Sequence, residues 1–368
     1  MSLVRVLVVD DSEVCRTALR ELLEADGDVV VVAEAATGEA AIPIVRRLRP
    51  DLVALDIEMP GLGGLATIER IMAVEPTPIL VVTAKPSTGT LVFEAVRRGA
   101  LDLAAKPALW GVSETGAELR AQVRRLAQVP VVRHLSGRSE RAERAAARAA
   151  SEPAPAARPS EAAVTTARPP ARAVGIVASA GGPAAIAAIV ARLPADCSAA
   201  VAIVQHLPPG FTMPFGRYLA TQTRLPIEVA DARCAAKPGH IYLAPDRCHL
   251  VAKRGGTFAP EEGEPVSGHR PSGTVLLSSL ADVYGADAVG VVLSGIGDDG
   301  ASGLLRMRGA GALTIAQDEA TSAVFGMPRA AERIGAAQLV LSVEAVAGTV
   351  ARATSGERRS GDARGAGE

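Results

Sequence analysis

The sequence is short of net charge, of paired cysteines and of long apolar runs, and each shortage removes a class of protein. Over 368 residues, 39 Lys and Arg stand against 40 Asp and Glu, a formal charge of -1. That balance predicts no general attraction to nucleic acid or to an anionic membrane, although the basic residues are mostly Arg and cluster locally. The four cysteines, Cys15, Cys197, Cys234 and Cys248, are scattered without C-x-x-C spacing. This excludes a disulfide framework or a zinc site and suits reduced thiols. No apolar run nears the roughly 18 residues that span a bilayer. Asp10 and Asp11 stand where a signal peptide would carry its apolar core, so no membrane insertion and a cytoplasmic location are expected. The length suits two domains of ordinary size, each able to bury a core.

What is present is alternation. Val4–Val9 is an apolar strand that runs straight into Asp10, Asp11 and Ser12. Ser12 suits a helix N-cap, and Val14, Ala18, Leu19, Leu22 and Leu23 are expected to form the buried face of the helix that follows. Strands over 29–33, 52–55, 79–82 and 101–105 then alternate with helices over 38–48, 65–74, 91–98 and 114–128. Five β-α units make a doubly wound parallel sheet with one active edge. That edge receives Asp10, Asp11, Asp56, Thr83 and Lys106. Carboxylates crowded together repel unless a cation joins them, and an all-oxygen set suits Mg²⁺ bridging to a phosphoryl group. Helix capping alone accounts for Asp10 or Asp11, but not for a lysine and a hydroxyl delivered to the same edge by later strands.

The second half is organised around V-G-I-V-A-S-A-G-G-P, residues 174–183. Val174–Ala178 reads as a strand and Pro183–Leu193 as a helix with Pro in its first turn. Ser179 falls at the bend, where two glycines allow close approach and free amides form an anion pocket. Alone, such a turn fits a phosphate site or a plain bend as well as it fits catalysis. Two other groups strengthen the catalytic reading: His206 directly follows the apolar run 200–205, and Asp299 lies beyond the run 288–293 in S-G-I-G-D-D-G. Ligands gather at the carboxyl ends of parallel strands, so Ser179, His206 and Asp299 are expected on one rim. A serine hydroxyl needs an imidazole to take its proton, and the imidazole needs a carboxylate to fix its tautomer. Asp299 is preferred over Asp298 because glycine follows it. The order Ser, His, Asp and the lack of G-x-S-x-G set the chain apart from the α/β-hydrolases. Residues 253–273 read as polar and turn-rich, 276–284 and 303–309 as helices, and 313–316 as the final core strand.

Residues 129–171 are Ala, Arg, Pro and Glu with almost no large apolar side chain. They cannot build a core and read as a flexible linker, extended where prolines recur. The expected division is therefore 1–128, a linker over 129–171, 172–353, and a disordered tail over 354–368. The expected fold class is α/β, an N-terminal flavodoxin-like (βα)5 unit followed by a doubly wound, mainly parallel, Rossmann-like one.

The first unit resembles a response-regulator receiver through V-V-D-D, D-I-E-M-P, Thr83-Ala84 and G-A-L-D-L-A-A-K-P. The resemblance implies phosphorylation of Asp56 by a chemotaxis histidine kinase. It also implies Mg²⁺ held by Asp11, Asp56 and the Glu58 carbonyl with Asp10 assisting, and Thr83 and Lys106 on the phosphoryl oxygens. Leu103 stands at the usual aromatic switch position, and Gly63 replaces an acid in the family's M-P-x-M-D-G. The second unit resembles the effector domain of the CheB family, the chemotaxis protein-glutamate methylesterases. V-A-S-A-G-G, Q-H-L-P-P-G-F-T, G-I-G-D-D-G, H-R-P-S and F-G-M-P-R carry that likeness, which covers nearly the whole chain. It implies Ser179 as nucleophile, His206 as base, Asp299 as its orienting partner and the Ile296 amide as an oxyanion donor, with no cofactor in the hydrolase site. The substrates implied are glutamate methyl esters and glutamines on methyl-accepting chemotaxis receptors.

Two departures lie near the serine: Val177 replaces a glycine, and Ala180 replaces a threonine whose hydroxyl can help bind the oxyanion. A third, Thr274, stands where the family usually has an aspartate in the segment after R-P-S. Losing one oxyanion donor costs on the order of 10²-fold in rate, so a slower enzyme is expected. Two alternatives stay open at this point: a phosphorylation-dependent binding module with an impaired site, and a methylesterase serving a pathway other than motility.

Overall fold

The computed structural model describes residues 3–84, 90–106, 113–129, 131 and 169–355. The remaining positions, including nearly all of the expected linker and tail, lie outside the described residues.

In the N-terminal domain, β1 (Val4–Val9), α1 (Glu13–Glu24), β2 (Val29–Ala35), α2 (Gly38–Leu48), β3 (Leu52–Leu55), α3 (Gly63–Val74), β4 (Ile79–Thr83), α4 (Leu91–Arg97), β5 (Asp102–Ala105) and α5 (Ser113–Leu126) alternate. The sheet order is β2-β1-β3-β4-β5, and every pairing is parallel. The order reverses between β1 and β3, so Asp10, Asp11 and Asp56 leave the sheet at its switch point, where a crevice opens. The Ser12 hydroxyl caps α1 by accepting from the Cys15 amide. Leu19 and Leu23 are buried as expected, Ala18 and Leu22 half so, but Val14 is 63% exposed. It sits in the first turn of α1, one residue after the helix begins at Glu13, and faces solvent.

The C-terminal domain contains β6 (Ala173–Ala178), α6 (Gly182–Val190), β7 (Ala200–Gln205), α7 (Thr212–Ala220), β8 (Ile227–Val229), β9 (Cys234–Ala235) and β10 (Ile241–Leu243). There follow β11 (His249–Lys253), β12 (Thr257–Glu261), α8 (Gly273–Tyr284), β13 (Ala288–Val292), α9 (Ala301–Gly309), β14 (Leu313–Gln317), α10 (Met327–Arg333), β15 (Leu339–Leu341) and α11 (Val343–Thr354). Seven parallel strands run in the order β15-β14-β13-β6-β7-β10-β8. The central strands β6, β7 and β13 are buried throughout, which is why they read as unbroken apolar runs.

Two expectations are corrected. The stretch 253–273 contains β12, which pairs antiparallel with β11 and β9 in a separate three-stranded sheet. Its turn at Gly255-Gly256 and its Pro260 disguise the strand. The core does not finish at β14 either, because β15 adds a further parallel partner.

The two domains share a contact. Phe93 of α4 packs its ring 5.1 Å from Phe215 and 5.5 Å from Tyr218, both on α7. The Gly181 amide, in the turn between β6 and α6, donates to the Leu101 carbonyl at 2.8 Å.

Candidate active site

β6 and β7 are paired in register up to Ala178 and Gln205, so Ser179 and His206 leave neighbouring strands at the same level. The His206 amide donates to the Ala178 carbonyl at 3.0 Å. β13 lies on the other side of β6, and the loop after it returns Asp299 to His206. The His206 Nε2 to Asp299 Oδ2 distance is 2.9 Å. Ser179 is 9% exposed and Asp299 1%. Asp298, beside it, points outward and is exposed.

The Ser179 turn is fixed from several directions. Its amide donates to the Ser294 carbonyl at 3.0 Å, and its carbonyl accepts from the Gly182 amide at 2.8 Å. Gln205 Nε2 joins the carbonyls of Ser179 and His206, at 2.8 and 3.0 Å. The buried Ser294 hydroxyl donates to the Ala180 carbonyl and accepts from the Val324 amide. Gly181 has φ +74°, and a Cβ there would meet Ala323 Cβ at 2.4 Å, so both conformation and space demand glycine.

Asp299 rests on the N-terminus of α8. Its carboxylate accepts from the Ser272 hydroxyl (2.7 Å) and from the amides of Gly273 (2.6 Å), Thr274 (3.0 Å) and Gly300 (2.9 Å), besides His206. Burial by itself raises a carboxyl, but the His206 contact and these donors outweigh it and hold Asp299 far below the usual carboxylate range. With Asp299 accepting, His206 Nε2 carries the hydrogen. Nδ1 is buried and has no hydrogen-bond partner.

The three departures each have a local account. A Cβ at Gly273 would lie 2.1 Å from Val177 Cγ1, so the bulk at 177 occupies space that a glycine on the facing helix leaves open. Thr274 Oγ1 accepts from the Gly300 amide at 2.8 Å. Ala180 is fully buried in one apolar cluster with Leu101, Ala104 and Leu119 of the N-terminal domain. Among the described residues, the Ile296 and Ala180 amides donate to nothing. The F-G-M-P-R segment holds the loop before Ile296, the Gly326 and Met327 amides both donating to the Gly295 carbonyl. Sequence reasoning missed Gln205, Ser272, Ser294 and the α8 amides. H-R-P-S and the glutamine before His206 were the available signals.

At the other switch point, ligand atoms of Asp10, Asp11 and Asp56 lie within 4.8 Å of one another. Lys106 Nζ is 2.7 Å from both Asp10 Oδ2 and Asp56 Oδ2. Burial pushes the Asp56 carboxyl up, with the Lys106 ammonium countering in part. The Thr83 hydroxyl is buried without a partner, and the Glu58 amide donates to Asp56 Oδ1 at 3.3 Å. Leu103 is buried in the sheet.

Residues 174–350 match the family model described as CheB methylesterase, and residues 6–110 that of the response regulator receiver domain. Protein-glutamate methylesterase/protein-glutamine glutaminase 2 of Anaeromyxobacter dehalogenans is 42% identical over 344 residues, 93% of this chain and 95% of that protein. The protein-glutamate methylesterase/protein-glutamine glutaminase of Sulfurimonas denitrificans is 38% identical, covering 92% and 94%. The crystal structure of the Thermotoga maritima CheB methylesterase catalytic domain is 31% identical over 49% of this chain and 97% of that one, with a TM-score of 0.48.

Proposed function

The chain belongs to the CheB family of chemotaxis protein-glutamate methylesterases and glutaminases, and from that membership we propose that Ser179, His206 and Asp299 carry its hydrolysis. The enzyme is a phosphorylation-regulated methylesterase and glutaminase with a receiver joined to a catalytic domain. The observation that carries the site assignment is the 2.9 Å contact of His206 Nε2 with a buried, multiply bonded Asp299, which leaves Nδ1 as the free base.

The Ser179 hydroxyl attacks the γ-carbonyl carbon of a receptor glutamate methyl ester while Nδ1 takes its proton. The carbonyl oxygen becomes an oxyanion, which the Ile296 amide is available to meet, with the Ala180 amide beside it. Collapse breaks the bond to the methoxy oxygen, and that oxygen leaves with the His206 proton as methanol. Water then gives a proton to His206, adds to the acyl-enzyme and frees the glutamate and Ser179. With a glutamine, ammonia leaves in place of methanol. Asp299 keeps the imidazole in one tautomer and stabilises its charged form.

In the receiver, Asp56 is the phosphoryl acceptor, with a chemotaxis histidine kinase as donor. The cluster of three carboxylates suits a hard cation, and the orphan Thr83 hydroxyl and Lys106 suit phosphoryl oxygens. Asp10, Asp11, Asp56 and the Glu58 carbonyl would hold Mg²⁺, which when bound offsets negative charge on the phosphoryl group. The dephosphorylated receiver shields the serine turn through the Leu101 carbonyl and the Phe93 ring, and phosphorylation loosens that contact. The reading places the receiver over 1–128, a linker over 129–171, the catalytic domain over 172–353 and a tail over 354–368, of which the buried Thr354 still closes α11. A cytoplasmic location agrees with the described residues, where no helix is long and apolar enough to cross a membrane. A binding module with an impaired site is not favoured.

The test is methanol release from methylated receptor, with and without a small-molecule phosphodonor. Release that rises with the donor is expected. No release in either state, with the chain folded, removes the assignment.

A further inference from the structure

The mechanism above leaves His269 without a task, yet it makes the closest ring contact of the site. The rings of His206 and His269 lie face to face, centroids 3.7 Å apart and planes within 8°. His269 stands on a loop closed by reciprocal main-chain hydrogen bonds with Val266, at 3.1 and 3.0 Å. Three residues on, Ser272 donates to Asp299, and the Ser272 amide in turn donates to Nδ1 of the buried His249 at 3.1 Å. One braced segment therefore touches both the base and its acid.

Asp299 holds His206 at a single ring atom. A ring tied at one edge can rock out of plane or rotate about its Cβ–Cγ bond, and either motion displaces Nδ1. A flat partner pressed on one face blocks both. We propose that His269 is a positioning residue, a neutral aromatic plate that keeps the His206 imidazole in its working plane and offers a π-face to the charge it gains. The proposal rests on the reading of His206 as the base.

The plate must not become a cation itself, because two stacked imidazolium rings repel. Burial, then the neighbouring His206 and Arg125, pulls His269 down to about 4, with Asp299 opposing. His269 is accordingly uncharged at neutral pH, and a π-face within about 6 Å of a cation attracts it. A phenylalanine supplies the same face, whereas leucine supplies volume without it.

The experiment uses the full chain with Mg²⁺ and acetyl phosphate, comparing His269→Ala, His269→Leu and His269→Phe. Methanol release from methylated receptor is followed alongside the rate of Ser179 labelling by a fluorophosphonate, with melting temperatures for each variant. The Ala and Leu variants are expected to lose about ten-fold in kcat and in labelling rate, with KM unchanged, the size of a modest cation–π and orientation effect. The Phe variant should stay within about three-fold of the parent. If Ala melts early, Leu against Phe decides. A Phe variant as slow as Leu, a loss confined to KM, or Ala and Leu variants as fast as the parent would each overturn the proposal. A parent chain that neither labels nor releases methanol removes instead the assignment of Ser179 and His206 beneath it.

Discussion

The amide of Gly181 donates to the carbonyl of Leu101 at 2.8 Å, so a main-chain oxygen of the receiver ends on the turn that carries Ser179. Beside it, Phe93 fills the space between the domains against Phe215 and Tyr218. The hydrogen bond joins main chain to main chain, whereas the fully buried Phe93 ring is a contact that substitution can remove. Phe93→Ala should therefore loosen the closed arrangement. Basal methanol release without phosphodonor is expected to rise on the order of ten-fold, the equivalent of about 1.4 kcal/mol. The stimulated rate should hold. An unchanged basal rate in a folded variant would show that this contact does not restrain the site.

Val177 and Gly273 predict a coupled pair. A side chain on Gly273 would drive into Val177, only 2.1 Å from the position of its Cβ, and Gly273 also donates its amide to Asp299. Gly273→Val alone should lower the melting temperature and slow Ser179 labelling, since forced overpacking costs about 1–3 kcal/mol. Adding Val177→Gly should restore much of both, with a coupling energy of about 1–3 kcal/mol. Strict additivity in the double-mutant cycle would refute the pairing.

The carboxyl ends of β1, β3, β6, β7 and β13 were legible because buried parallel strands write themselves as apolar runs, and the first polar residue after each run marks the rim. What could not be read is how the rim is braced. Asp299 is held by the start of α8, and nothing in the spacing of Ser272, Gly273 and Thr274 announces that a helix N-terminus points at a carboxylate 25 residues or more downstream. β12 and β15 escaped because a glycine pair, a proline or a three-residue length leaves no periodicity to detect. Val14 was misassigned because helical periodicity cannot tell which first-turn side chains a neighbouring layer covers.

Asp299→Asn should leave the fold intact and lower kcat by on the order of 10⁴-fold, as amide replacement of a triad carboxylate does elsewhere. The pH dependence of stability tests the same group. Its folded-state pKa is lowered, so its contribution is present above the unfolded value near 3.9 and is lost as pH falls toward the folded one. Urea unfolding of the parent should weaken more steeply than that of the variant as pH drops from about 5. Parallel curves would mean that the carboxylate is not held by the donors around it.

Gln205 offers the most economical test of how nucleophile and base are kept together. One side-chain nitrogen bridges the carbonyls of Ser179 and His206, while its Oε1 is buried without a partner beside Gly182. The Ser179 carbonyl keeps a second donor in the Gly182 amide, but no hydrogen bond other than that from Gln205 reaches the His206 carbonyl among the described residues. Gln205→Leu keeps the volume and removes the bridge, and loss of the hydrogen bond to the half-buried His206 carbonyl costs about 1 kcal/mol. Because the loss falls on the alignment of the reacting pair and not on receptor binding, kcat should drop about ten-fold or more with KM nearly constant. Phosphodonor stimulation should keep its fold-change, since the receiver contact at Gly181 is untouched. A rise in KM at constant kcat would assign Gln205 to the substrate instead.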